Sequence, residues 1–201
     1  MFNDKKLMMI VIGGSMAGCL APSPDDGGET ARTEAVTSAP DSVRDDALLY
    51  RNAISRTELR QQLQLQLQRF PGGVQIAENE VAYQDGAFVM TFALPEQANQ
   101  PQATADCPSG WFCFYDHASF GYPRGKLSDR GWQDLSQFGW SDRTESVHNN
   151  TTTRVEFDNH FDFGNPANGH TFDELNIFGA NAHTTLSTVS RPNTADHVFR
   201  F

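Results

Sequence analysis

Phe114-Tyr-Asp-His117-Ala-Ser-Phe120-Gly121 and Phe157-Asp-Asn-His160-Phe-Asp-Phe163-Gly164 share their aromatic, histidine and glycine positions at the same internal spacing. Downstream, Gly131-Trp132-Gln-Asp-Leu135 is answered by Thr171-Phe172-Asp-Glu-Leu175. Ser141-Asp142-Arg-Thr-Glu-Ser146-Val147 is answered by Pro192-Asn193-Thr-Ala-Asp196-His197-Val198. Three matches in one order indicate a duplicated unit. Both copies are rich in aromatic residues and punctuated by glycine, which predicts a mainly β sandwich of two Greek keys over residues 106–201. Phe and Tyr would fill the space between the sheets. Gly121 and Gly164 would turn corners that a side chain would obstruct.

Working back from the repeat, residues 95–105 read as a linker and residues 46–94 as a helix plus a β-hairpin. Ser55 with Glu58 forms a candidate capping box, and Leu59, Leu63, Leu67 and Phe70 then recur at helical spacing. The alternation Leu63-Gln-Leu65-Gln-Leu67 also fits a strand, but Gln and Leu are good helix formers. Pro71-Gly72-Gly73 ends the helix. In the hairpin Val81 and Tyr83 alternate, Asp85-Gly86 suits a type I′ turn, and Phe88, Met90 and Phe92 alternate on the return. One helix and one hairpin make a thin core, so this section is expected either to pack on the following domain or to stay mobile.

Residues 1–18 read as an address. Lys5 and Lys6 precede Leu7-Met8-Met9-Ile10-Val11-Ile12, and small residues follow up to Met16-Ala17-Gly18-Cys19. That order describes an export signal. The run ending in Cys19 also resembles the bacterial lipobox, which implies cleavage before Cys19 and diacylglycerol on its thiol. The expected location is the outer face of the cell envelope, lipid-anchored to the bilayer without crossing it, and on the outer membrane where the cell has two. Residues 19–45 supply the lipidated Cys19 and then a tether of Pro, Ser, Thr, Asp, Gly and Ala, too poor in apolar groups to offset its ordering entropy.

Composition narrows the function. The 201 residues carry 15 Lys+Arg against 25 Asp+Glu, a formal net charge of −10, with no basic cluster to attract phosphate backbones, so nucleic acid is not an expected partner. Fifteen Phe against four Tyr, with sixteen Gly, ten Pro and a mean hydropathy of −0.50, fit a loop-rich β core in a monomer. With Cys19 assigned to lipid, Cys107 and Cys113 remain, and in an exported chain such a pair around Pro108 and Gly110 reads as a disulfide. The six histidines show no HExxH or other tight ligand spacing, and the chain has no nucleophile elbow, phosphate loop or cofactor motif. An enzyme is therefore not expected, and no cofactor is required.

Residues 106–201 resemble the βγ-crystallin fold, and more closely the exported proteins grouped with the streptomycete metalloproteinase inhibitor. The carriers are Cys107-Pro-Ser-Gly-Trp-Phe-Cys113-Phe-Tyr-Asp, the Phe120-Gly121 corner, Gly131-Trp132-Gln-Asp-Leu135 and Trp140-Ser-Asp-Arg-Thr-Glu-Ser-Val-His-Asn149. The resemblance implies a rigid β-sandwich that presents a loop to a secreted or envelope metallopeptidase. It fixes no inhibitory loop here. Microbial βγ-crystallin domains often bind calcium through an Asn/Asp pair, two variable residues and a Ser/Thr-Ser pair. The corresponding segment supplies Ser141, Asp142 and Ser146 as candidate oxygen ligands, with two of the four signature positions changed. The alternative function is a surface-binding or structural module, with calcium as stabiliser, that recognises envelope polymer or another protein through Trp111, Trp132 or Trp140.

Overall fold

The computed structural model describes residues 47–98, 104–160 and 173–201. Helix α1 (Arg56–Arg69) starts where the sequence places it. The Ser55 hydroxyl accepts the Glu58 N–H at 3.2 Å, and the Glu58 carboxylate accepts the Ile54 N–H at 2.7 Å, which holds that carboxyl below its ordinary value. Leu59 and Leu63 are buried as expected, but two glutamines share the inner face. Gln62 Nε2 donates to the carbonyls of Leu48 and Arg51, at 2.6 and 2.5 Å. Gln66 Nε2 donates to the Tyr83 hydroxyl and the Phe138 carbonyl, each at 2.9 Å. The donors are satisfied in this way, while Gln62 Oε1 and Gln66 Oε1 are buried with no partner among the described residues.

Strands β1 (Val74–Ala77), β2 (Glu80–Tyr83) and β3 (Phe88–Thr91) follow as an antiparallel meander. Asp85 (φ 54°, ψ 28°) and Gly86 (φ 93°) are both left-handed, and Ala87 N–H donates to the Gln84 carbonyl at 3.0 Å, the geometry of the expected turn. All four residues of β3 are buried, because β3 is interior to the sheet: its far edge pairs with β5 (Gly121–Leu127), Met90 opposite Gly125 and Phe88 opposite Leu127. The hairpin section is thus built into the larger sheet, and of the two fates open to it, packing is the one observed.

The first duplicated unit comprises β4 (Phe112–His117), β5, β6 (Gly131–Asp134) and β7 (Ser146–Asn149). The second comprises β8 (Val155–His160), β9 (Asp173–Ala180), β10 (Thr184–Leu186) and β11 (His197–Arg200). The larger sheet runs β1-β2-β3-β5-β4-β7-β10 and the smaller β6-β11-β8-β9. In each unit the first strand lies between the second and the fourth, and the third crosses to the other sheet. These are two Greek keys that exchange their third strands, packed as a sandwich.

The repeat is correct at its ends and wrong in its middle. Phe114 and Phe157 occupy equivalent places in β4 and β8, both are buried, and their rings meet edge to face at 5.9 Å. Ser141–Val147 and Pro192–Val198 both lead into fourth strands. Gly131–Leu135, however, opens on β6, a third strand, whereas Asp173, Glu174 and Leu175 begin β9, a second strand. The third strand of the second unit is β10, which pairs with β7 as β6 pairs with β11. An aromatic followed by an acid and Leu is too common a pattern to mark a strand by itself. Phe163, Gly164, Thr171 and Phe172 lie outside the described residues.

One apolar core spans the sandwich. It runs from Leu49, Leu59 and Leu63 through Phe88, Phe114 and Trp140 to Phe157 and Val198. Phe88 stacks on Phe138 at 4.1 Å, and Phe114 meets Trp140 edge to face at 5.2 Å.

Candidate functional site

The loops before the two fourth strands cross each other about an approximate two-fold axis. Asp142 N–H donates to the Ala195 carbonyl at 2.9 Å, and its counterpart Asn193 N–H donates to the Thr144 carbonyl at 3.0 Å. Both residues are left-handed, with φ of 57° and 55°. Glu145 N–H to Tyr115 carbonyl and Asp196 N–H to Asp158 carbonyl, each 2.9 Å, repeat the symmetry. The side chains break it. The Glu145 carboxylate accepts from Ala118 N–H at 2.9 Å and from the Asn193 amide at 2.8 Å. The Asp196 carboxylate accepts from His160 N–H at 3.0 Å, but its across-axis neighbour is Asp142, another acid. Burial and then the charge of Asp196 raise the Asp142 carboxyl above its ordinary value.

The candidate calcium ligands do not converge. Ser141 lines a cavity with Asp134, His160, Asp196 and His197, while Asp142 lines a different one with Tyr50, Asp116, Arg143, Glu145 and Asn193. Ser146 is wholly buried; its hydroxyl donates to the His117 carbonyl at 2.7 Å and accepts the Phe120 N–H at 3.0 Å. The second cavity already holds a cation. Arg143, 2 % exposed, lies between the rings of Tyr50 and Trp140, each 4.6 Å away, and makes two 3.1 Å bonds to Asp116. It also donates to the carbonyls of Gly139 and Leu49 at 3.0 and 2.9 Å. A calcium ion there would face a fixed guanidinium, so these residues do not fit the ion. Among the described residues no group of three or more His, Cys, Asp or Glu could hold a metal.

Cys107 and Cys113 form a disulfide with Cα atoms 5.6 Å apart. It packs with Tyr115 and Phe120 on the outer face of the larger sheet, under the stretch that leads into β4. A polar cluster ties that stretch down. The Asp106 carboxylate accepts from the hydroxyls of Tyr115, at 2.9 Å, and Tyr122, and pairs with Arg124 at 2.9 Å. Burial pushes the Asp106 carboxyl up, but the Tyr122 hydroxyl, Arg124 and the Tyr115 hydroxyl outweigh it and hold it below its ordinary value. Burial and the same acid push both tyrosines well above theirs. Arg124 also donates to the Thr91 hydroxyl at 3.1 Å, which carries the cluster across to β3. Sequence reading passed over this group because its members are scattered along the chain; only the position of Asp106 beside Cys107 hinted at it.

The tryptophans part company. Trp140 is wholly buried, Trp111 is half-buried beneath the Lys126 ammonium at 5.2 Å, and Trp132 lies on the open face of the smaller sheet over the His197 ring at 4.6 Å. His117 and His160 take equivalent places at the ends of β4 and β8. Cys19 lies outside the described residues.

Most of the polar side chains named above bond to one another or to the main chain, although Gln62 Oε1, Gln66 Oε1 and Arg124 Nε are buried without a partner among the described residues. Residues 100–166 match the family model of peptidase inhibitor family I36. No curated protein and no solved structure matches the chain. The match covers the first Greek key and β8, and it agrees with the resemblance carried by Cys107–Asp116, the Phe120-Gly121 corner and Trp140–Asn149. The family is one of inhibitors, not enzymes, and supports peptidase inhibition as the activity.

Proposed function

We propose that this chain is an exported, lipid-anchored inhibitor of peptidases, with metallopeptidases as its targets. The observation that carries the reading is the coincidence of the family match, residues 100–166, with the disulfide-stapled, aromatic-cored unit. A segment held rigid before binding loses little entropy in a cleft, and it opens too rarely to be cleaved as an ordinary substrate. The metallopeptidase target rests on the likeness to the streptomycete inhibitor. The anchor rests on Met16-Ala17-Gly18-Cys19 after a charged and then apolar start, with the tether to residue 45 holding the folded part clear of the lipid.

The test uses the purified, oxidised chain lacking residues 1–19 against thermolysin-like metallopeptidases, with serine peptidases as controls. Stoichiometric inhibition confined to the metallopeptidases is expected. A folded, disulfide-intact sample that leaves every metallopeptidase active at micromolar concentration refutes the target class. For the anchor, Cys19→Ala should move the protein from the membrane fraction of expressing bacteria to the soluble one; an unchanged membrane fraction refutes lipidation.

A further inference from the structure

Between the two Greek keys the chain crosses from β7 to β8 through Asn150-Thr151-Thr152-Thr153-Arg154, and this connection is held by one side chain beneath it. Asn149 is 1 % exposed. Its Oδ1 accepts from the Thr151 N–H at 3.1 Å and from the Thr151 hydroxyl at 2.7 Å. Its Nδ2 donates to the Thr153 carbonyl at 2.8 Å and to the carbonyls of Ala180 and Asn181, each at 3.0 Å. One buried amide thus grips the chain on both sides of Thr152 and ties it to the end of β9.

The remaining main-chain groups are taken up as well. Asn150 N–H donates to the Trp111 carbonyl at 3.0 Å, and the Asn150 carbonyl accepts from Gly110 N–H at 2.9 Å, stapling this strand end to the disulfide loop. The Thr151 carbonyl accepts from His183 N–H at 3.2 Å. Thr153 N–H donates to the Thr151 hydroxyl at 3.3 Å, and the Thr153 carbonyl is the one that Asn149 Nδ2 holds. Thr152 differs. Its side chain is exposed, and among the described residues its N–H and C=O have no partner. A fixed apex with one free donor and one free acceptor is what a peptidase cleft, which pairs with its substrate's main chain, can grasp.

We propose that the Asn150–Thr153 connection, with Thr152 at its apex, is the segment presented to the target peptidase. The proposal rests on the inhibitor reading above and adds the contact surface to it. Hydrolysis on either side of Thr152 would break one C–N bond, with water supplying hydroxyl to the carbonyl carbon and a proton to the new amine. Both new ends would remain bound, one to Asn149 Oδ1 and the other to Asn149 Nδ2. The nicked loop could not leave the cleft as a product does, and the bond could re-form in place. Among the described residues the exposed connection Ser187–Thr194 is held differently, by the buried Val189 side chain and by bonds spread over Ser119, Thr144, Glu145 and Ile177, with no single buried side chain bracing both sides of an apex.

The experiment measures inhibition constants of the chain lacking residues 1–19, and of its variants, against a peptidase that the parent inhibits. Thr152→Gly, Thr152→Glu and Thr152→Trp should spread the constant over at least tenfold with unchanged melting temperature, while Ser190→Glu leaves it unmoved. Asn149→Ala should turn the chain into a substrate cut between residues 150 and 153, detected by mass spectrometry. Its circular dichroism spectrum and thermal transition report whether the sandwich survives, and the Thr152 series decides the matter if it does not. Equal inhibition across the Thr152 series overturns the proposal and leaves the inhibitor reading standing. A parent that inhibits no peptidase of any class overturns both.

Discussion

Asp142→Asn replaces the one acid that spoils the two-fold match of the crossing loops, and it should stabilise the protein. Across the axis, Asn193 donates its amide to the Glu145 carboxylate at 2.8 Å from the same left-handed backbone geometry. The substitution gives Asp196 the equivalent donor and removes a like charge. Relief of a partly exposed repulsion is worth about 0.2–1 kcal/mol, and a solvent-screened bond to a carboxylate about 0.5–1 kcal/mol more. Asparagine tolerates the left-handed φ of 57° at no cost relative to Asp. A net gain of about 1 kcal/mol should raise the melting temperature by roughly 2–4 °C for a domain of this size.

The sign follows from the Asp142 carboxyl, which is raised in the folded protein. Its ionisation costs stability in full above the folded pKa, and the cost disappears as the pH falls from there through the lower, unfolded value. The advantage of the variant should therefore be full at neutral pH and shrink through the carboxylate range, as read by calorimetry on the oxidised chain in EDTA and in calcium. A variant no more stable than the parent at neutral pH refutes the reasoning, as does a gain that persists undiminished in acid. A calcium-dependent rise in the parent that the variant loses would make Asp142 a ligand after all.

Three further outcomes are open to chemical denaturation. Arg143→Met strands the buried Asp116 carboxylate and should cost about 3–5 kcal/mol, most of it recovered when Asp116→Asn is added. Gly139→Ala places a methyl group against the Phe70 ring at a position with φ of 69°, and a loss of about 2–3 kcal/mol in urea unfolding is expected. Reducing the disulfide, whose cysteines are 6 positions apart, should lower stability by about 2–2.5 kcal/mol, seen as a shifted midpoint after alkylation.

The parts of this fold that could be read from sequence are those fixed by local chemistry. The Ser55 cap, the Asp85-Gly86 turn and the pairing of Cys107 with Cys113 each depend on residues close in the chain. The duplication was legible through Phe114 and Phe157 because both fill the same central place between sheets. What escaped is non-local. The burial of Gln62 and Gln66 depends on carbonyls and a hydroxyl that only the folded chain brings near, so helical spacing of leucines marked only part of the inner face. Ser141 and Asp142 matched part of a ligand pattern, yet neighbouring residues here face different cavities. Asn149 only closed the resembling segment Trp140–Asn149, and nothing in its neighbours foretells that one amide would brace the connection between the units.

The placement of β3 beside β5 has a consequence for solubility. In a sandwich of the two Greek keys alone, β5 would end its sheet with seven residues of bare hydrogen-bonding edge, long enough to template another chain. β3 covers Arg124–Leu127 of that edge, and the rim passes to β1, four residues long and interrupted by a register shift between Gln75 and Ala77. A longer border is exchanged for a shorter, irregular one. Cutting the chain at residue 106 should therefore yield a sandwich prone to strand-to-strand polymerisation, even if every residue of the duplicated units is kept.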